Sequence, residues 1–139
     1  MHYEYHEDGT KPQNGEVFVF GSNLAGRHGA GAAKAAFHFY GAVYGVGVGH
    51  VGESYAIPSV NHYVSASLSL DEIAVYVKHF IDYTHYLASS GCSPVANNIK
   101  FFVTRIGCVL AGYKDSDIAP MFKGAVNCNF PEQWKEHLE

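Results

Sequence analysis

Gly21, Gly26, Gly29 and Gly31 interleave with Ser22, Asn23, Arg27 and His28 in one short stretch of the chain. Val17-Phe18-Val19-Phe20 precedes them, an apolar and β-favouring run that reads as a buried strand. Ala30 leads into Ala32-Ala33-Lys34-Ala35-Ala36, all good helix formers. A strand that passes through a glycine-rich loop into a helix leaves the first helical N–H groups without internal partners, and such groups attract an anion, a phosphate above all. His28 is the one imidazole of this loop, which makes it a candidate acid or base near neutral pH. The competing reading is an exposed loop residue.

A second loop has similar chemistry. Residues 99–103 form another short β-type run, and it leads directly into Thr104-Arg105-Ile106-Gly107-Cys108-Val109-Leu110-Ala111-Gly112-Tyr113. Asp115 and Asp117 follow, either as candidate acid–base carboxylates or as helix-capping groups. In open α/β sheets ligands sit beyond the carboxyl ends of strands. If the two strands are neighbours, these loops become opposing lips of a crevice suited to a diphosphate.

Other glycine templates fit less well. Gly26 to Gly31 has the Walker A spacing, but Ala32 and Ala33 stand where lysine and a hydroxyl are needed, which disfavours P-loop ATP hydrolysis. Residues 29–34 nearly match the dinucleotide fingerprint, yet Lys34 replaces its last glycine or alanine. Gly47, Gly49 and Gly52 match that fingerprint formally, but a second β-type run, 54–58, follows where it requires a helix. That segment reads as a flexible connection between strands. The plainest alternative for the first loop is that its glycines only permit a tight turn and close packing of an alanine helix.

The elements that must position these loops can be read from periodicity. The first helix is expected over 31–40, closed by Gly41 as a left-handed cap. Ala42-Val43-Tyr44 reads as a short strand, and Pro58 either ends the strand over 54–58 or places it near a sheet edge. After a polar loop over 59–67, Ser69 and Glu72 form a capping box. Leu70, Ile73, Val77, Phe80, Ile81, Thr84 and Leu87 then share one helical face to near Gly91. His79 and His85 fall on different sides of that helix and read as surface residues. Asn97-Asn98 marks a turn, and Asp115 or Ser116 caps a short turn with Ile118, Met121 and Phe122 inward. A last strand is expected over 125–129, with Pro131 opening a helical C-terminal segment. Strands alternating with helices indicate an α/β domain around a central sheet, spanning 16–139 behind an irregular arm over 1–15.

Composition narrows the function classes. A chain of 139 residues with 47% hydrophobic and 16% charged residues is long and apolar enough for one ordinary core. A net charge of −4 argues against nonspecific nucleic-acid binding, and no basic stripe accompanies the aromatics. Cys92, Cys108 and Cys128 form no C-x-x-C pair and read as reduced thiols. No apolar run is long enough to span a bilayer, so the expectation is a soluble, cytoplasmic protein without membrane contact. His2 and His6 with Glu4, Glu7 and Asp8 read as a solvated terminus rather than a metal site, and no cofactor is expected.

Both loops resemble the macrodomain family. Asn23-Leu24 through Gly29-Ala30-Gly31-Ala32-Ala33 looks like the macrodomain ligand loop. Arg105-Ile106-Gly107-Cys108-Val109-Leu110-Ala111 is similar to the second phosphate loop of the small ADP-ribose glycohydrolases that reverse glutamate-linked ADP-ribosylation. The order of elements agrees from about Glu16 onward. GSNLAGRHGAGAA also resembles small macro-like proteins of bacteria and their phages. The resemblance implies a three-layer α/β/α fold with a mixed sheet that binds ADP-ribose or a related nucleotide. Asn23 would face the distal ribose, Gly29, Gly31 and Ala32 would approach the ribose and diphosphate, and residues 107–112 would donate from the other side.

The same comparison removes the glycohydrolase branch's catalytic pair. Ala111 stands in place of its aspartate, Val109 in place of a loop glycine, and Ser59-Val60 where it has a lysine. Three functions remain open: a module that binds ADP-ribose without cutting it, a hydrolase of an ADP-ribosyl bond or of a phosphorylated ADP-ribose, and an interaction domain without a ligand. The first is the expectation, with a small-molecule nucleotide as partner.

Overall fold

The computed structural model describes residues 3–13, 15–108 and 111–139. In chain order these form β1 (Glu4–His6), β2 (Glu16–Asn23), α1 (Gly31–Phe39), β3 (Gly49–Val51), β4 (Ser54–Val60), α2 (Leu70–Ala88), α3 (Pro94–Asn97), β5 (Lys100–Val103), α4 (Asp115–Ile118), β6 (Cys128–Pro131) and α5 (Lys135–Leu138). Single 3-10 turns at Ala119–Phe122 and Glu132–Trp134 follow α4 and β6. The strands make one six-stranded sheet in the order β1-β6-β5-β2-β4-β3, parallel throughout except for the antiparallel β3–β4 pair. This is the single α/β domain around a central sheet that the alternation of elements indicates, and the sheet is mixed.

Alternation along β2 divides the interior into two layers. Val17 and Val19 face a large core with Ile73, Val77 and Phe80 of α2 and with Phe122, Phe130 and Trp134. Phe18 and Phe20 face the other side, where Ala33 and Ala36 of α1 let the helix lie close on the sheet. Helices therefore cover both faces. The long helix begins as its sequence dictates: Glu72 N–H donates to Ser69 Oγ at 3.1 Å, and Ser69 N–H donates to Glu72 Oε1 at 3.1 Å. Ile73, Val77, Phe80, Thr84 and Leu87 are buried along it, Leu70 and Ile81 are half-buried, and His79 and His85 are exposed. It stops at Ala88 rather than near Gly91.

Several sequence expectations need correction. The arm over 1–15 is not wholly irregular, because β1 pairs in parallel with β6, Tyr5 opposite Phe130. Ala42-Val43-Tyr44 is not a strand: Ala42 N–H closes α1 on Ala36 O, and Val43 O is engaged by His28 Nε2. The segment over 45–52 contains β3 and is not merely a connection. Pro58 lies inside β4 but past the end of β3 pairing, where β4 has β2 as its one neighbour. The last strand starts at Cys128, after Asn127 has turned to a φ of +58°, and Pro131 ends it instead of opening a helix.

Candidate ligand cleft

β2 and β5 are adjacent and parallel, with Val19 opposite Val103. Both chains leave the sheet at the same edge, so the loops that follow stand side by side. The junction is tied by Thr104, whose N–H and Oγ1 both donate to Val19 O, at 3.0 and 2.8 Å. The condition for a shared crevice is thus met by strand order.

β2 does not end at Phe20 but continues through Gly21 and Ser22 to Asn23, with a bulge at its last two residues. Asn23 then clamps the glycine loop. Its Oδ1 accepts from Arg27 N–H at 2.9 Å and its Nδ2 donates to Arg27 O at 2.7 Å. Beyond the clamp the chain reaches α1, whose first residue Gly31 has a φ of +57°. Ala30 precedes α1 with no side-chain cap, and no acidic residue occupies the first turn. The helix therefore presents unneutralised N–H groups at its start.

The second loop is braced from behind and from above. Arg105 donates to Asp115 through two parallel bonds, Nε to Oδ1 at 3.0 Å and Nη2 to Oδ2 at 2.8 Å. Trp134 Nε1, on a fully buried ring, donates to the same Oδ1 at 2.7 Å. The Arg105 guanidinium, and then Trp134, hold the Asp115 carboxyl below its ordinary range against the opposing effect of burial. Cys108 is half-buried beside this group, and burial followed by Asp115 pushes its thiol up to about 12. Ser67 Oγ donates to Ala111 O, and Tyr113 OH donates to Leu68 O, which latch the loop to the segment after β4.

Between the loops runs a cleft with two lobes that share Gly21 and Ser59 at their waist. The wider lobe, of about 570 Å³, is bounded by Ser22, Asn23, Arg27, Gly29, Ala30, Ser65 and Ser67 among others. The narrower, of about 180 Å³, is bounded by Gly31, Ala32, Thr104, Arg105, Ile106, Gly107 and Ala111. A cleft of this size suits a small organic ligand. Gly21 keeps the waist open, since a Cβ there would sit 3.4 Å from Ser59 Oγ and 3.6 Å from Gly107 N.

Most of the expected ligand residues converge, and the exceptions are informative. His28 does not face the cleft. It is 1% exposed, packs edge-on against Phe20 at 5.5 Å and bonds Val43 O through Nε2, so it supports the loop from below. Gly26 also packs away, against the backbone of Gly45 and Val46. Asp115 is engaged with Arg105, and Asp117 accepts from Lys114 N–H at 3.1 Å at the start of α4, so neither carboxylate lines the cleft lobes. Val109 and Leu110 lie outside the described residues, and Cys108, Gly112 and Tyr113 border neither lobe. Sequence reasoning missed Ser59, Thr104, Ser65 and Ser67. A serine in a polar stretch carries no periodic signal, and only the path of β4 brings Ser59 to the waist.

Among the described residues no cluster of histidine, cysteine and carboxylate groups is arranged to hold a metal, and no helix is long and apolar enough to cross a membrane. No protein-family model, curated protein or solved structure matches this chain. The functional reading rests on the cleft itself.

Proposed function

We propose that this protein is a binding module for ADP-ribose or a related nucleotide diphosphate sugar, with the diphosphate held between the two loops. The observation that carries the reading is the pairing of Val19 with Val103, which places the uncapped start of α1 across one cleft from Arg105 and Gly107. Helix-start N–H groups on one side and a guanidinium on the other favour an anion between them.

The cleft also continues beyond its two lobes. Thr104 and Arg105 border both the narrow lobe and a further hollow of about 290 Å³, lined by His6, Asp8, Phe18 and Phe102. The half-buried His6 ring, stacked at 3.9 Å on the buried Phe102, beside the Asp8 carboxylate suits a nucleobase with an exocyclic amine. The wide lobe, with Asn23 and the serines, suits the sugar end. Ser59 and Ala111, where the glycohydrolase branch carries lysine and aspartate, both border the narrow lobe, and neither supplies an amine or a carboxylate. This supports binding over cleavage. Isothermal titration with ADP-ribose, ADP and adenosine tests the reading: saturable binding of ADP-ribose is expected, and no heat and no thermal shift with any of the three overturns it.

A further inference from the structure

Ser59 is 5% exposed, and among the described residues its Oγ has no hydrogen-bond partner, although it stands at the waist between both lobes. The hydroxyl is not sealed in the interior but opens onto the cleft, where it can donate to a ligand oxygen. Arg105 borders the same narrow lobe and the hollow beyond it. One edge of its guanidinium is committed: Nε–H and one Nη2–H go to Asp115. Five N–H donors belong to the group, so Nη1 and the second Nη2 proton are left over by the bonds to Asp115. Asp115 is itself fixed by the buried indole of Trp134, which locks the direction in which the fork points.

We propose that Arg105 and Ser59 form a side-chain clamp for the phosphoryl oxygens of the ligand, with Asp115 and Trp134 as positioning residues that aim the guanidinium. The inference rests on the diphosphate reading above and deepens it, because it moves the discrimination of charged from uncharged ligands from backbone amides to a particular side chain. A guanidinium held by a carboxylate and an indole binds an anion without first losing rotamer freedom. The clamp therefore recognises a pyrophosphate or a phosphate monoester and gives no advantage to a neutral nucleoside.

The test uses the full chain with inorganic pyrophosphate, ADP-ribose and adenosine as separate probes. Pyrophosphate is expected to shift the Arg105 Nε–H resonance in ¹⁵N spectra. Arg105→Gln is expected to weaken pyrophosphate and ADP-ribose by about tenfold or more, the loss of a charge-assisted bond, while leaving adenosine within twofold. Asp115→Asn, with Arg105 intact, should move the same Nε–H resonance in the free protein and weaken both anions but not adenosine, which a purely structural role does not do. Ser59→Ala, which removes one oxygen from the waist, provides a second variant and should weaken both anions severalfold. The clamp is overturned if pyrophosphate leaves the Arg105 resonance unmoved, or if ADP-ribose binds the folded Arg105→Gln protein as tightly as the wild type. Arg105-dependent pyrophosphate binding without ADP-ribose binding would instead keep the clamp and sink the nucleotide reading.

Discussion

Gly26 and Gly47 meet backbone to backbone where the loop after β2 crosses the segment before β3. A Cβ built on Gly47 would lie 2.1 Å from Asn23 O and 3.2 Å from Gly26 N, and one on Gly26 would lie 2.4 Å from Val46 N. Gly26 also needs its φ of +70°. Gly29, in contrast, has nothing within 4 Å of a built Cβ and no positive φ. Gly47→Ala and Gly26→Ala are therefore expected to destabilise the fold by about 2 kcal/mol or more each, whereas Gly29→Ala stays within about 0.5 kcal/mol. Denaturant unfolding of the three variants measures this, and equal stability of Gly29→Ala and Gly47→Ala would contradict the crossing.

His28 is a second case in which a chemically attractive residue is a prop. Its ring fills the space under the glycine loop between Phe20 and Tyr44, with Nε2 on Val43 O at 2.9 Å and Nδ1 buried without a partner among the described residues. Replacing it by alanine removes packing and a buried hydrogen bond together, for an expected loss of about 2–4 kcal/mol. Phenylalanine keeps the packing and also removes the unpartnered Nδ1, so His28→Phe should retain more stability than His28→Ala. Thermal midpoints of the pair decide the matter, and an alanine variant as stable as the wild type would show that the ring is not a support.

These residues show what the sequence discloses and what it withholds. The strand, glycine loop and helix over 16–36 are legible because apolar alternation, glycine spacing and an alanine run all point the same way. Ser69 and Glu72 announce α2 for the same reason, since a capping box is a local contact. Which glycine faces a ligand and which faces another stretch of backbone is a long-range fact: Gly26 and Gly47 look no different from Gly29 until the chain has folded. β1 was hidden because three residues, Glu4–His6, gain strand geometry only from β6 at the far end of the chain. Ala42-Val43-Tyr44 has the composition of a strand, but its backbone groups serve α1 and His28 instead. Asp115 and Asp117 read first as helix caps and second as acids; Asp117 does cap α4, and only the placement of Arg105 and Trp134 assigns Asp115 to neither role.

Acid should loosen the protein through two groups of the same sign. Asp115 is held below its ordinary carboxylate value, first by Arg105. His6 is held below the ordinary imidazole value, first by burial, its ring stacked 3.9 Å from Phe102. In both cases the unfolded chain takes up a proton more readily than the folded one. The stability each contributes is present above its unfolded value and is lost as pH falls through its folded value. Unfolding free energy should therefore fall from about pH 6.5 downward as the unfolded His6 protonates, and again below about pH 4 through Asp115. His6→Gln should flatten the first step and Asp115→Asn the second in denaturant titrations across pH. Curves for the variants that parallel the wild type through both steps would rule out these groups as the source.

The chemistry absent from the cleft yields the last prediction. Breaking an ADP-ribosyl bond calls for a base or nucleophile at the anomeric carbon and an acid for the leaving group, and such groups contribute about 10²–10⁴ in rate each. Arg27 is the one charged side chain that borders the wide lobe among the described residues, and Arg105 the one that borders the narrow lobe. Arginine does not exchange a proton near neutral pH. His28 is buried away from both lobes, and Cys108 borders neither of them. A protein carrying glutamate-linked ADP-ribose should consequently be bound and left intact. Mass spectrometry of the mixture, alongside an active glycohydrolase, should find the modified species undiminished. Release of ADP-ribose at a rate that Arg27→Gln or Ser59→Ala abolishes would replace the binding module with an enzyme.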